Sequence, residues 1–397
     1  MVRTRWTRWL IGFLLSVVAT IGAALLWRTV TIAQVKAERA ITSADGIDLL
    51  ERVPINGIEQ WVSIRGQDRS KPVLLFLHGG PGFPMLPFAH TFQTPWEKDF
   101  VVVQWDQRGT GKTFREVDPQ RIVSSINIAQ FVDDGRVLAE YLQRKLGKQK
   151  IILLGHSWGS MIGICLVHTH PELFSAYVGT GQVIDVIENE RVGYRRALEV
   201  ARERNNADAL RELEAIAPYP DASRGTSEPR KVLRRWQREF GMATRGKSDL
   251  QMFLAMLDAG LRSPDYSLAD HWTWISLSSS EYSRNALARE IDAFSASALT
   301  PQFAVPMFFF LGRHDWQVPS VIARDFLGKI DAPSRTLVWF EDSAHSPPSE
   351  QAAAFHAALV KYVAPVAEQA DALDAGADAS PRRQTELLGD VVALDVR

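Results

Sequence analysis

Ser157 lies between glycines in Gly155-His156-Ser157-Trp158-Gly159, and a serine so framed is a candidate nucleophile for acyl transfer. The hydroxyl needs a base to take its proton and a carboxylate to orient that base. His345, in Asp342-Ser343-Ala344-His345-Ser346-Pro347, supplies the imidazole, and Asp315, in Gly312-Arg313-His314-Asp315-Trp316, supplies the carboxylate. Asp342 is a rival for the carboxylate role, but on the same loop as His345 it would have to bend back. The glycines of His78-Gly79-Gly80-Pro81-Gly82 let backbone N–H groups approach a substrate oxygen. Gly80 and Trp158, the latter next to the nucleophile, are therefore expected to donate the two N–H groups of an oxyanion hole.

These residues need a scaffold that gathers them at one edge. Lys150-Ile151-Ile152-Leu153-Leu154 before the serine reads as a buried strand, and Ser160-Met161-Ile162-Gly163-Ile164 after it as a helix. Apolar runs at Val73–Leu77, Phe100–Val103, Tyr177–Gly179, Met307–Leu311 and Thr336–Phe340 alternate with helical segments such as 128–146 and 349–362. That is the pattern of a mostly parallel sheet buried on both faces. Ile47–Ile55 and Gln60–Ile64, joined by Asn56-Gly57, read as an opening hairpin. The order serine, aspartate, histidine is that of the α/β-hydrolase fold. Strand patterns cease between Val178 and Met307, where helical patterns (188–204, 231–240) predict a cap over the site. The expected division is residues 1–35 as an N-terminal signal anchor or signal peptide, 36–180 and 303–364 as the two parts of the core, 181–302 as the helical cap, and 365–397 as a disordered tail.

With 45 basic and 46 acidic residues in 397, no overall field favours nucleic acid. The single cysteine, Cys165, excludes an intramolecular disulfide and reads as core filler. Histidine spacings match no metal motif, so neither a metal nor a cofactor is expected. Trp9 to Trp27 is uncharged and apolar over about 19 residues, enough to cross a bilayer as a helix. Arg3, Arg5 and Arg8 before it place the N-terminus in the cytoplasm and the remaining chain outside it. An uncleaved anchor is favoured over a secreted product, because Thr31-Ile32-Ala33 is a poor cleavage site.

The motifs His78-Gly79-Gly80-Pro81-Gly82, Asp106-Gln107-Arg108-Gly109-Thr110-Gly111 and Gly155-His156-Ser157-Trp158-Gly159 together resemble the proline iminopeptidase family of α/β-hydrolases across residues 73–363. The resemblance implies release of an N-terminal residue, often proline, from small peptides under a helical cap. His156 departs from the glycine typical of that family before the serine, and also occurs in esterases of the fold. The family binds the substrate α-amine with acidic residues of the cap; Glu188 and Glu190 are the candidates here, with Glu281 behind them. Arg108 reads as an anchor for its loop. The alternative is a carboxylesterase or amidase with the same machinery, whose apolar pocket Phe253, Trp272 and Trp274 would line; a non-catalytic binding module is the remaining one. Oligomeric state is not encoded in any motif.

Overall fold

The computed structural model describes residues 2–221, 227–374 and 392–396. Helix α1 (Val2–Glu38) leads into a hairpin of β1 (Ile47–Ile55) and β2 (Ile58–Gly66). Ile55 pairs with Ile58, and Asn56 and Gly57 take left-handed φ values of 44° and 82°, the two-residue turn that an Asn-Gly pair favours. β3 (Val73–Leu77), β4 (Val101–Asp106), β5 (Ile151–His156), β6 (Phe174–Thr180), β7 (Met307–Gly312), β8 (Arg335–Phe340) and β9 (Val392–Val396) complete a nine-stranded sheet. Its order is β1-β2-β4-β3-β5-β6-β7-β8-β9, antiparallel from β1 through β4 and parallel from there on.

The continuous apolar strands are explained by the two cores they fill. Val73, Leu75 and Leu77 of β3 face one, against α4 (Ile128–Leu146) and α5 (Trp158–Thr169), while Leu74 and Phe76 face the other, with Trp96, Phe310 and Phe355. Each fully buried side chain of this size is worth about 1.5–3 kcal/mol. Two short helices, α2 (Gly111–Glu116) and α3 (Pro119–Ile122), follow β4. Between β6 and β7 stand α6 (Val186–Glu203), α7 (Ala207–Ala215), α8 (Ser227–Glu239), α9 (Asp249–Arg262), α10 (Leu268–Ile275) and α11 (Ser278–Ala293). Ser248 and Ser267 close capping boxes that start α9 and α10. The first three of these helices share a small core of their own around Tyr194, Leu213, Leu233 and Phe240. α12 (Ser320–Leu327), α13 (Pro347–Glu350), α14 (Ala352–Ala358) and α15 (Ala364–Asp374) finish the helical layers.

The expectation of a disordered tail from 365 needs correction. α15 buries Ala364 and Ala367 in the second core, and β9 pairs in parallel with β8, Thr336 opposite Val392. Small apolar residues at helical spacing are enough for docking, and Val-Ala-Leu suits an extended strand. The rest of that expectation lies outside the described residues. The anchor boundary at 35 also moves, because α1 stays helical to Glu38.

Candidate active site

Parallel pairing aligns the strand ends that carry the chemistry: Leu77 lies opposite Gly155, and Gly312 opposite Phe340. The loops after β3, β5, β7 and β8 therefore emerge at one edge, the carboxyl edge, where parallel sheets form sites. Ser157 caps α5 with φ 52°, a left-handed value that a non-glycine residue adopts under strain. The turn requires Gly159, since a Cβ there would collide with the Leu77 carbonyl.

From this elbow the Ser157 hydroxyl lies 2.9 Å from His345 Nε2, and His345 Nδ1 lies 2.8 Å from Asp315 Oδ2. Asp315 is buried, and its other oxygen accepts from the N–H groups of Gln317 (3.1 Å) and Val318 (2.9 Å). A carboxylate so held fixes the imidazole with Nδ1 protonated and Nε2 free to accept the serine proton. The rival Asp342 is exposed and uses its backbone N–H on Gln351. His156 packs beside His345 with ring centres 5.1 Å apart, and its Nε2 donates to the His345 carbonyl at 3.0 Å. Burial first, then the neighbouring His345, lowers its pKa to about 3, so it is a neutral support.

Two cap segments are tied to these loops. Met242 O accepts from Trp316 N (2.9 Å) and Ala243 O from His345 N (3.3 Å), so one cap turn holds the acid loop and the base loop together. On the other side Ser279 and Ser280 hydroxyls donate to Gly82 O at 2.7 and 3.1 Å, holding the glycine loop. Sequence reasoning missed both ties, because they depend on cap packing that no local pattern encodes.

Ser157, Gly80 and Trp158 open into a cavity of about 930 Å³ walled by α6, α8 and α11. Gly80 has φ 129°, a conformation natural to glycine alone. Glu190 lines the cavity but is already engaged: Arg234 and Arg230 pair with Oε1, and the Tyr219 hydroxyl donates to Oε2. Glu188 lies off the wall and pairs with Arg191 and Arg195, which corrects its expected place at the site. Helical spacing is the reason: Val186, Asn189 and Glu190 share the cavity face of α6, and Glu188 points elsewhere.

That spacing could also have found Asn189, which sequence reasoning passed over. Its side chain is buried on the wall and its Oδ1 accepts no hydrogen bond among the described residues. Glu281, an exposed residue, also lines the cavity and pairs with no cation among the described residues. The three aromatic residues anticipated for an apolar ester pocket do not line this cavity. Trp274 is buried against Phe88 elsewhere, and Phe253 and Trp272 are exposed, away from this wall. Arg108 is structural, donating to both oxygens of buried Asp134 and to Asn56 O.

Residues 72–352 match the alpha/beta hydrolase fold family, and the chain belongs to it. Over 325 residues it is 29% identical to a probable aminopeptidase, YbaC, of Bacillus subtilis, covering 81% of this chain and 98% of that one. It is 32% identical to a probable proline iminopeptidase of Streptomyces coelicolor over 29% of this chain and 34% of the relative. Among solved structures, a proline iminopeptidase-related protein from Thermus thermophilus superposes with a TM-score of 0.54 at 18% identity, over 81% of this chain and 99% of that one, a likeness of fold. The protein is thus an α/β-hydrolase with relatives named as aminopeptidases.

Proposed function

We propose that the protein is a membrane-anchored serine aminopeptidase that removes N-terminal residues from small peptides through an acyl-enzyme. The observation that carries this reading is the unbroken row Ser157–His345–Asp315 opening into a cavity whose wall carries several charged side chains. In the proposed cycle His345 Nε2 takes the Ser157 proton as the oxygen attacks the scissile carbonyl, and the resulting oxyanion accepts from the N–H groups of Gly80 and Trp158. His345 then protonates the leaving amine, and activates the water that frees the acyl group. Asp315 stays ionised and holds the ring.

Asn189 and Glu281 are the proposed receivers of the substrate ammonium. Asn189 Oδ1 has no donor among the described residues; it is closed off as it stands, and a turn of the side chain would offer it to an α-ammonium, which has two N–H groups on proline and three on other residues, whereas a simple ester has none. Glu190, neutralised by two guanidinium groups, acts in this reading as a brace that keeps Arg230 and Arg234 in place. The anchor part of the proposal rests on α1: the stretch from Trp9 is long and apolar enough to span a bilayer, and its most apolar 18 residues are not buried in the domain. The anchor is read as uncleaved because α1 is helical through Thr31-Ile32-Ala33, with Thr31, Val35 and Arg39 buried against the domain. The catalytic domain then stands on the extracytoplasmic side.

The test uses full-length protein in detergent or nanodiscs, with Ser157→Ala as control. Alanyl and prolyl anilides are compared with their N-acetylated forms and with short aryl esters. Turnover of the free-amine anilides that disappears on N-acetylation and in the control is expected. Turnover of esters alone would make the protein a carboxylesterase.

A further inference from the structure

Outside α1, the exposed large apolar side chains of the described residues are Leu50, Val123 and a group confined to two neighbouring cap helices and the turn after them: Leu250, Phe253 and Leu254 on α9, Leu268 and Trp272 on α10, and Leu277. Positions 250, 253 and 254 share one helical face, as do 268 and 272. Trp272 is 68% exposed, an unusual place for an indole in water.

The place where α1 meets the domain says what covers this surface. The apolar stretch ends at Trp27, and from there the chain is fastened to α9 and to the loop joining α9 to α10. Arg262, at the end of α9, lies 5.9 Å over the Trp27 ring, and Arg28 donates to the carbonyl of Tyr266 at 2.8 Å. Arg39, the residue after the end of α1, pairs with Asp265 at 2.6 Å. About 19 apolar residues at 1.5 Å each span one hydrocarbon core, so Trp27 stands at its boundary. The 262–266 loop is held at that same boundary, and α9 and α10 lead away from it on either side.

We infer that the exposed faces of α9 and α10 are a membrane seat: they rest in the interfacial layer of the bilayer that α1 spans. The inference rests on the reading of α1 as an uncleaved anchor. Phe253, Leu254 and Leu268 enter the headgroup–acyl boundary, and Trp272 joins Trp27 in the position that indoles favour there.

The experiment places single cysteines in the full-length Cys165→Ala protein at Phe253, Trp272, Leu14, Leu50 and Arg144. Each variant carries an environment-sensitive fluorophore and is reconstituted in nanodiscs with or without lipids bearing a shallow doxyl quencher. Labels at 253 and 272 are expected to lose at least half their emission to the quencher, while those at 50 and 144 are unaffected. Quenching at Leu14 without quenching at 253 and 272 overturns the seat and leaves the anchor standing. Absence of quenching at Leu14 as well overturns both. A blue-shifted but unquenched label at 253 or 272 also overturns the seat, and points to a protein partner in place of lipid.

Discussion

At the scale of single residues, Ser157, His345 and Asp315 form one hydrogen-bonded row, and the proposed cycle gives each side chain one task. Replacing Ser157 by Ala is expected to lower kcat/KM by about 10⁴-fold or more with the fold retained. Asp315→Asn is expected to cost 10³- to 10⁴-fold, roughly, because an amide favours the wrong imidazole tautomer. Steady-state kinetics with circular dichroism as a fold control checks both. His156 acts one step removed, through the His345 backbone. His156→Gly should lower kcat about tenfold with KM nearly unchanged, since the 3.0 Å bond to the His345 carbonyl is lost. Because His156 is neutral above about pH 3, the acid limb of kcat/KM should survive in that variant; its disappearance would show that His156 itself titrates in the cycle. The three site residues and the glycine loop were legible in the sequence because each follows a strand, and strand ends are fixed by pattern. The cavity wall was not: Glu188 and Glu190 look equal in one dimension and differ only by helical phase, and the arginines that engage Glu190 come from α8, distant in sequence.

At the scale of elements, the cap works as a clamp on the catalytic loops. Its turn at Met242-Ala243 bonds the loops of Asp315 and His345, and the start of α11 bonds the glycine loop. Ser279→Ala removes the one hydroxyl hydrogen that Gly82 O and Thr273 O share, and should cost about 1 kcal/mol of stability. The looser glycine loop should lower kcat several-fold while leaving acyl-enzyme hydrolysis dependent on the same histidine; chemical denaturation and burst kinetics would measure the two effects. The elements themselves were largely readable, the 128–146 helix being found at the observed bounds, Ile128–Leu146. What escaped was the tail, where the short alanine-rich α15 and the distant β9 become ordered only by contact with a core assembled elsewhere. The Phe253 and Trp272 side chains were misplaced for the converse reason: an aromatic residue in a cap can face a pocket or the outside, and local sequence carries no sign of which.

At the scale of the whole molecule, buried histidines set the response to acid. Burial is the leading cause that lowers His156 to about 3 and His78, His90 and His271 to about 4, against 6.5 for an exposed ring. The unfolded chain takes up these protons first, so their contribution is complete above about pH 6.5 and is lost as pH falls toward 4. Asp106 acts in the opposite sense. Burial, opposed by the Tyr266 hydroxyl, raises it to about 7, and it favours the folded state at low pH and loses that effect as pH rises toward 7. Four groups outweigh one, and melting temperature is expected to fall by on the order of 10 °C between pH 6.5 and 4.5. Scanning calorimetry across that range checks it, and a flat profile would mean that the rings are hydrated. α1 adds a constraint of another kind. It passes without a break from its apolar stretch to the buried Arg39, whose partners Asp265 and Glu97 belong to the cap and the core. With α1 in a bilayer, as proposed, there would be no slack tether between the lipid and the domain. Such an enzyme cannot reach out into the surrounding space. Under the proposed anchoring it would survey a thin layer of solution by sliding in two dimensions, and its substrates would be molecules that come to the membrane surface.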